Sequence, residues 1–271
     1  MGTSKIQGEL WVKAPRGWAE IQEPMHRPLW ETMLNATEVG SGTHFLDVGC
    51  GGGGASVLAA DRGAQVSGLD AAEGLIAFAR ERVSNGDFRV GDIESLPFED
   101  DAFDVVFAAN SVQYSGDRIA ALRELVRVCK PEGLIVAGLF GPPEKVAFSA
   151  IQKAVRDALP EPPTGAGPYE LSAPGKLEGL FTESGLNVLE SGEVDCPFNY
   201  PDFETYWQAQ FSAGPLQSAL RVVSEEQLKT AARDAAKTFR LDNGAILIQP
   251  NIFKYLVAAL YAKHVDKEAI P

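Results

Sequence analysis

Cysteine and histidine are scarce in this chain, three of each among 271 residues. Cys50, Cys129 and Cys196 are an odd number, and none falls in a Cys-x-x-Cys pair. That excludes a disulfide framework and a thiolate zinc site, and leaves reduced thiols with no metal expected. No apolar run approaches the ~18 residues of a membrane span. The opening MGTSKIQGEL has no apolar core of a signal peptide, so the expectation is a soluble, cytoplasmic protein. Long basic runs are absent too. With 37 acidic against 24 basic residues the formal charge is −13, which makes nucleic acid and anionic membranes poor partners. No repeat or low-complexity segment is present. What remains is an apolar content of 45%, enough for one large domain with an elaboration or for two small ones.

The chain is organised around His44–Gly54, HFLDVGCGGGG. It opens as a buried strand, breaks into glycines that neither strand nor helix interior favours, and continues as an apolar helical pattern over 54–62. From there strand and helix alternate. Strands are predicted at 65–69, 88–90, 104–108 and 134–139, and helices at 74–80, 117–129, 143–158 and 174–184. A sixth strand follows near 187–195. Short apolar strands with helical crossovers predict a Rossmann-like, doubly wound α/β sheet of seven strands, mostly parallel, with the last antiparallel. Residues 1–40 read as an N-terminal helical lid over a bound cofactor, with Trp18 and Gln22 among the expected cofactor contacts and His26 near it. Residues 197–244 hold an aromatic cluster and two polar helices. They read as a helical cap inserted between the last two strands, so that 41–196 and 245–271 form the main domain. Pro250 is expected as a kink or bulge.

The loop admits two ligands. Gly49-x-Gly51-x-x-Gly54 satisfies the dinucleotide fingerprint, a weak pattern alone. The same residues give Asp47-x-Gly49-x-Gly51-x-Gly53. A carboxylate at Asp47 repels a pyrophosphate but favours a ligand carrying positive charge. Asp70, ending the second strand beside Ala71, can accept both hydroxyls of a ribose or cap the helix that follows.

Asp47-x-Gly49-x-Gly51-x-Gly53 resembles motif I of class I S-adenosylmethionine (SAM) methyltransferases. The stretch GDIESLPFEDDAFD, residues 91–104, is similar to the family's GDxxxLPFxDxxFD. Over about 44–140 the chain most resembles the ubiquinone/menaquinone-methyltransferase-like group, methyltransferase type 11. The resemblance implies SAM as cofactor and S-adenosylhomocysteine as product. It also implies that Asp92 and Ile93 meet the adenine and that Asn110 lies between cofactor and substrate. Cys50 sits within the loop. Asn110-Ser111-Val112-Gln113 is not the Asn/Asp-Pro-Pro-Tyr of enzymes that methylate nucleobase or glutamine amino groups, which argues against those substrates.

Methyl transfer from SAM is an in-line displacement that requires alignment and exclusion of water, and a base only if the nucleophile carries a proton. His26 in the lid is the candidate base and Tyr114 a second group to orient the acceptor. His44 is read as structural and His264 as solvated. Tyr169, Tyr200 and Trp207 are candidate contacts to a small, largely apolar substrate. Two other readings stand beside this one: an NAD(P)-dependent oxidoreductase, and a SAM-binding protein without catalysis. Neither the acceptor atom nor the oligomeric state follows from the sequence.

Overall fold

The computed structural model describes residues 4–11, 13–161 and 167–260. Helix α1 (Ser4–Trp11) leads to a short α2 (Pro15–Gly17), one turn each of π and 3-10 helix over 18–26, and α3 (Arg27–Ala36). Pro15, Pro24 and Pro28 each stand at the first turn of a segment, where a missing N–H is tolerated. Leu29, Trp30, Met33 and Leu34 share the buried face of α3.

The core then alternates. Strand β1 (His44–Val48) is followed by α4 (Gly54–Asp61), β2 (Gln65–Asp70), α5 (Glu73–Arg82), β3 (Asp87–Val90) and β4 (Phe103–Ala109). Next come α6 (Arg118–Val128), β5 (Cys129–Phe140), α7 (Phe148–Asp157), α8 (Lys176–Glu183) and β6 (Leu186–Asp195). After β7 (Phe198–Tyr200) lie α9 (Phe203–Phe211), α10 (Gly214–Ala219) and α11 (Glu225–Ala236), then β8 (Ile246–Ile248) and β9 (Ile252–Leu260).

Seven strands form the main sheet in the order β3-β2-β1-β4-β5-β9-β6, with β9 antiparallel to both of its neighbours. This is the expected Rossmann-like fold, mostly parallel with the last strand antiparallel, and residues 197–244 lie between β6 and β9. Strand β4 shows why its sequence is apolar throughout. Val105 and Phe107 enter the core beneath α3, α4 and the cap, while Val106 and Ala108 enter the core under α6 and α8. At the edge, β6 alternates burial and carries Glu190, Glu193 and Asp195, charges that discourage further strand pairing.

Two local expectations shift. The helix predicted over 143–158 is a 3-10 turn followed by α7, because Val146 is drawn into an extended bridge with Asn251. Strand β5 begins at Cys129 rather than near 134, since Cys129 pairs with Phe103 and, after an irregularity, Leu134 pairs with Val105. Pro250 lies between β8 and β9 and follows a cis bond. The buried Asn251 side chain beside it accepts from Phe148 N at 2.9 Å and donates to Ile248 O at 2.8 Å. It thereby fixes the start of α7 to the joint between sheet and cap.

Candidate functional site

Strand order reverses between β1 and β4, and the crevice outside their carboxyl ends is where an open α/β sheet receives ligands. Two cavities open there. The first is a cleft over the glycine loop. The N–H groups of Gly49 and Cys50 both donate to Leu69 O, at 2.7 and 3.0 Å, which ties the loop to the end of β2. Gly49 has φ +79, and a Cβ there would lie 2.4 Å from Ser111 Cβ, so only glycine fits.

Two acids flank the loop. Asp47 is 2% exposed and accepts from Ser56 Oγ at 2.7 Å. Burial pushes its carboxyl up to about 7, against the Ser56 hydrogen bond and with the help of the Asp70 charge. Asp70 Oδ1 accepts from Ala72 N at 2.8 Å and Oδ2 from Gly51 N at 3.0 Å. It closes a turn ahead of α5, whose N-cap is Ala72. Its carboxyl is raised by burial, and the two N–H bonds oppose this. Each oxygen retains a lone pair for a further donor.

Across the cleft, Asp92 Oδ1 accepts from Glu94 N at 2.9 Å, and Asp92, Ile93 and Ala71 line the wall. Asn110 follows β4 with φ +55, a left-handed position that asparagine tolerates, and its N–H donates to Gly138 O at 2.7 Å. Beside it the buried Ser111 Oγ has no hydrogen-bond partner among the described residues. Gly53, expected at the cofactor, instead precedes α4 and packs against Ala79, outside the cleft lining.

Glu23 joins the N-terminal helical segment to this loop, a role with no local signal in the sequence. Its Oε1 accepts from Gly52 N at 2.8 Å and its Oε2 pairs with Arg82 at 2.9 Å. Arg82 also donates to Gly52 O at 2.8 Å and to Ala19 O at 2.7 Å. Burial raises the Glu23 carboxyl to about 7 although Arg82 pulls it down. The start of α4, where unpaired N–H groups attract anions, is therefore already served by a carboxylate of the protein itself.

The second cavity, about 710 Å³, lies between α7, the 3-10 turn at 167–172 and helices α9–α11. It shares Trp11, Trp18, His26, Asn110 and Tyr114 with the cleft. His26 sits in a ring of aromatics, with centroids 5.4 Å from Phe253, 5.5 Å from Phe198 and 5.9 Å from Trp18. Its Nδ1 lies 3.3 Å from Glu23 O. A carbonyl can only accept, so Nδ1 carries the proton and Nε2 is left as the acceptor. Burial lowers its pKa to about 4, so the ring is neutral at pH 7. Burial likewise raises the Tyr114 phenol to about 12.

The other sequence-predicted residues divide. Gln22 lines the second cavity and not the cleft, and its Oε1 accepts from Tyr200 Oη at 2.6 Å and Gln210 Nε2 at 2.9 Å. Tyr200 is wholly buried behind it and reaches neither cavity. Tyr169 and Trp207 do line the second cavity: Tyr169 donates to Gln152, and Trp207 Nε1 donates to Glu225 at 3.1 Å. His44 stands exposed at the far end of β1, and His264 lies outside the described residues. Cys50 lines the cleft, and Cys129 and Cys196 are buried on other elements. Among the described residues no helix is long and apolar enough to cross a membrane.

Residues 46–137 match the model of a methyltransferase domain family. A malonyl-[acyl-carrier protein] O-methyltransferase of Serratia marcescens is 38% identical over 112 residues, 41% of this chain and 44% of that protein. Methyltransferase GfsG of Streptomyces halstedii is 38% identical over 191 residues, covering 65% of this chain and 63% of its own. The matched stretch thus spans less than two thirds of either relative. Among solved structures, the YcgJ protein from Bacillus subtilis superposes with a TM-score of 0.60 at 21% identity, over 88% of this chain and all of its own. The [4+2]-cyclase SpnF gives 0.54 at 22% identity, over 85% and 78%. At these identities the superpositions speak for the fold alone.

Proposed function

We propose, from the premise that its Rossmann-like domain belongs to the class I SAM-dependent methyltransferases, that the whole protein methylates an O, N or C atom of a small, largely apolar molecule. Members of this family use SAM as methyl donor. The observation that carries the reading is the meeting of two cavities at His26, Asn110 and Tyr114. One is a cleft over a glycine loop with Asp47, Asp70 and Asp92 in its lining, the other a larger, mainly apolar chamber under the cap. In this reading residues 1–40 are a lid and 197–244 a substrate cap.

The residues present fit the donor. Asp70 keeps free lone pairs for two ribose hydroxyls. Asp92 is an acceptor for the adenine amine, and the Ile93 N–H a donor for a ring nitrogen. The Ser111 hydroxyl, buried and without a partner among the described residues, belongs to a cleft-lining residue beside Asn110, and Asp47 favours a cationic ligand. SAM supplies a carbon already activated by a positive sulfur. A dinucleotide is disfavoured because Glu23 occupies the helix start where a pyrophosphate would bind, next to Asp47 and Asp70.

For a hydroxyl acceptor, His26 Nε2 is the group that takes the proton, while its Nδ1–H on Glu23 O fixes the tautomer. Trp11, Trp18 and the aromatic ring around His26 exclude water from the junction. Replacing His26 by Gln is expected to lower kcat at least about 100-fold, the lower range for losing a general base, with S-adenosylhomocysteine affinity held within about threefold as the check on folding. Isothermal titration with S-adenosylhomocysteine tests the cofactor; no binding at millimolar ligand overturns the proposal. Turnover of SAM with a metabolite extract then separates an enzyme from a protein that only binds SAM.

A further inference from the structure

The charge around the second cavity runs against the charge of the chain. Acidic residues outnumber basic ones 37 to 24, yet among the described residues no Asp or Glu lines this cavity. The two formally charged side chains that do are Lys153 and Arg156, both on α7. Lys153 is exposed and engaged with Asp157. Arg156 is half-buried and has neither an ion pair nor a hydrogen bond among the described residues. A guanidinium held against low-dielectric, mostly aromatic and aliphatic walls is unfavourable without a partner and focuses positive potential into the chamber.

We infer that the substrate is an amphiphilic anion, an elongated apolar body ending in a carboxylate or phosphate that pairs with Arg156. The inference rests on the methyltransferase reading above and names the substrate class of that site. A planar guanidinium suits either oxyanion bidentately.

The geometry of α7 separates the anion from the chemistry. Its first residue, Phe148, lies 5.4 Å from Phe198, which is 5.5 Å from His26. Arg156 is eight residues further along, a rise of roughly 12 Å at 1.5 Å per residue. On this reading the acidic group, toward the C-terminal end of α7, and the atom that accepts the methyl, near His26, are different groups. The anion is a handle for orientation, and the acceptor a hydroxyl or other nucleophile near the far end of the same molecule.

The test uses the fluorescent, uncharged dye N-phenyl-1-naphthylamine, displaced by decanoate, decyl phosphate or decan-1-ol. In the native protein at least one anion is expected to displace the dye about 10-fold more tightly than the alcohol, the range of a charge-assisted hydrogen bond. The anion that wins identifies the head group. Arg156→Gln should remove the preference and leave dye affinity within twofold, and Arg156→Lys should keep part of it. Ala219→Trp, which fills the cavity, should abolish dye binding and so locate the dye. Equal displacement by all three ligands, or a preference that survives Arg156→Gln, overturns the anion assignment alone. If the native protein binds no dye, or Ala219→Trp does not affect it, the substrate chamber itself is refuted and the anion with it.

Discussion

Replacing Glu23 by Ala tests whether the lid is fastened to the cofactor loop through one carboxylate. Two interactions vanish. The Gly52 N–H loses its acceptor at 2.8 Å, and a buried donor left unpaired costs about 1–3 kcal/mol. Arg82 loses its ion pair at 2.9 Å but is not stranded, since it is 28% exposed and keeps the carbonyls of Gly52 and Ala19. Its share therefore falls below the ~3–5 kcal/mol of breaking a fully buried pair, to about 1–2. The sum is roughly 2–5 kcal/mol, which for a chain of this size, at ~2 °C per kcal/mol, lowers Tm by about 4–10 °C. Urea unfolding of the two single variants and of Glu23→Ala with Arg82→Ala completes a cycle, in which the double loss should be smaller than the sum. Glu23→Gln keeps an acceptor for Gly52 and should cost less than Glu23→Ala. Because the folded carboxyl titrates at about 7, above its ordinary 4.5, the group's contribution to stability is fullest below 4.5 and declines as pH rises through 7. The penalty of Glu23→Gln is accordingly larger at pH 5 than at pH 8. A loss for Glu23→Ala under 0.5 kcal/mol, with no coupling to Arg82, would refute the latch.

Three further outcomes are expected. Asp70→Ala should weaken S-adenosylhomocysteine by about 1–3 kcal/mol in a titration, since a bound ribose would lose its acceptor; an unchanged affinity would mean the ribose lies elsewhere. Asp47 ionises only above about 7, so binding of the cationic donor below that pH must release a proton. Its affinity should rise up to about 10-fold per pH unit from 5 to 7, then level off, and Asp47→Asn should flatten the profile. Gly49→Ala forces a Cβ to 2.4 Å from Ser111 Cβ at a positive φ. It should lower Tm and weaken the donor together, and a variant matching the native protein in both would show that the loop yields without strain.

The sheet and its order of elements were legible because buried parallel strands leave continuous apolar runs and glycine marks where the backbone must turn. Asp47, Asp70 and Asp92 were legible for the same reason, lying at fixed offsets from that punctuation. Glu23, Arg82 and Arg156 carried no such mark. A glutamate in the helical turns at 18–26 and an arginine 59 residues on give no periodic or motif signal, and their meeting is settled only by how those turns lie against the glycine loop and α5. The aromatic cluster illustrates the same limit from the other side. Tyr200 and Trp207 look alike in sequence, yet one is sealed behind Gln22 and the other borders the chamber, because β7 and α9 present different faces.

The place of β9 in the sheet has a consequence for how the chain is made. This strand lies between β5 and β6 and pairs with both along nearly its whole length, yet it is synthesised after the entire cap. Once Asp195 has emerged, about 65 further residues must follow before Leu260 completes the sheet, roughly 3–13 s of synthesis at ordinary speeds. During that interval β5 has a bare edge and β6 no partner. The nascent protein thus makes the long-range pairing of β9 with β5 and β6 last, which favours slow final folding. The acids of β6 would then guard a waiting strand during synthesis as well as a finished edge.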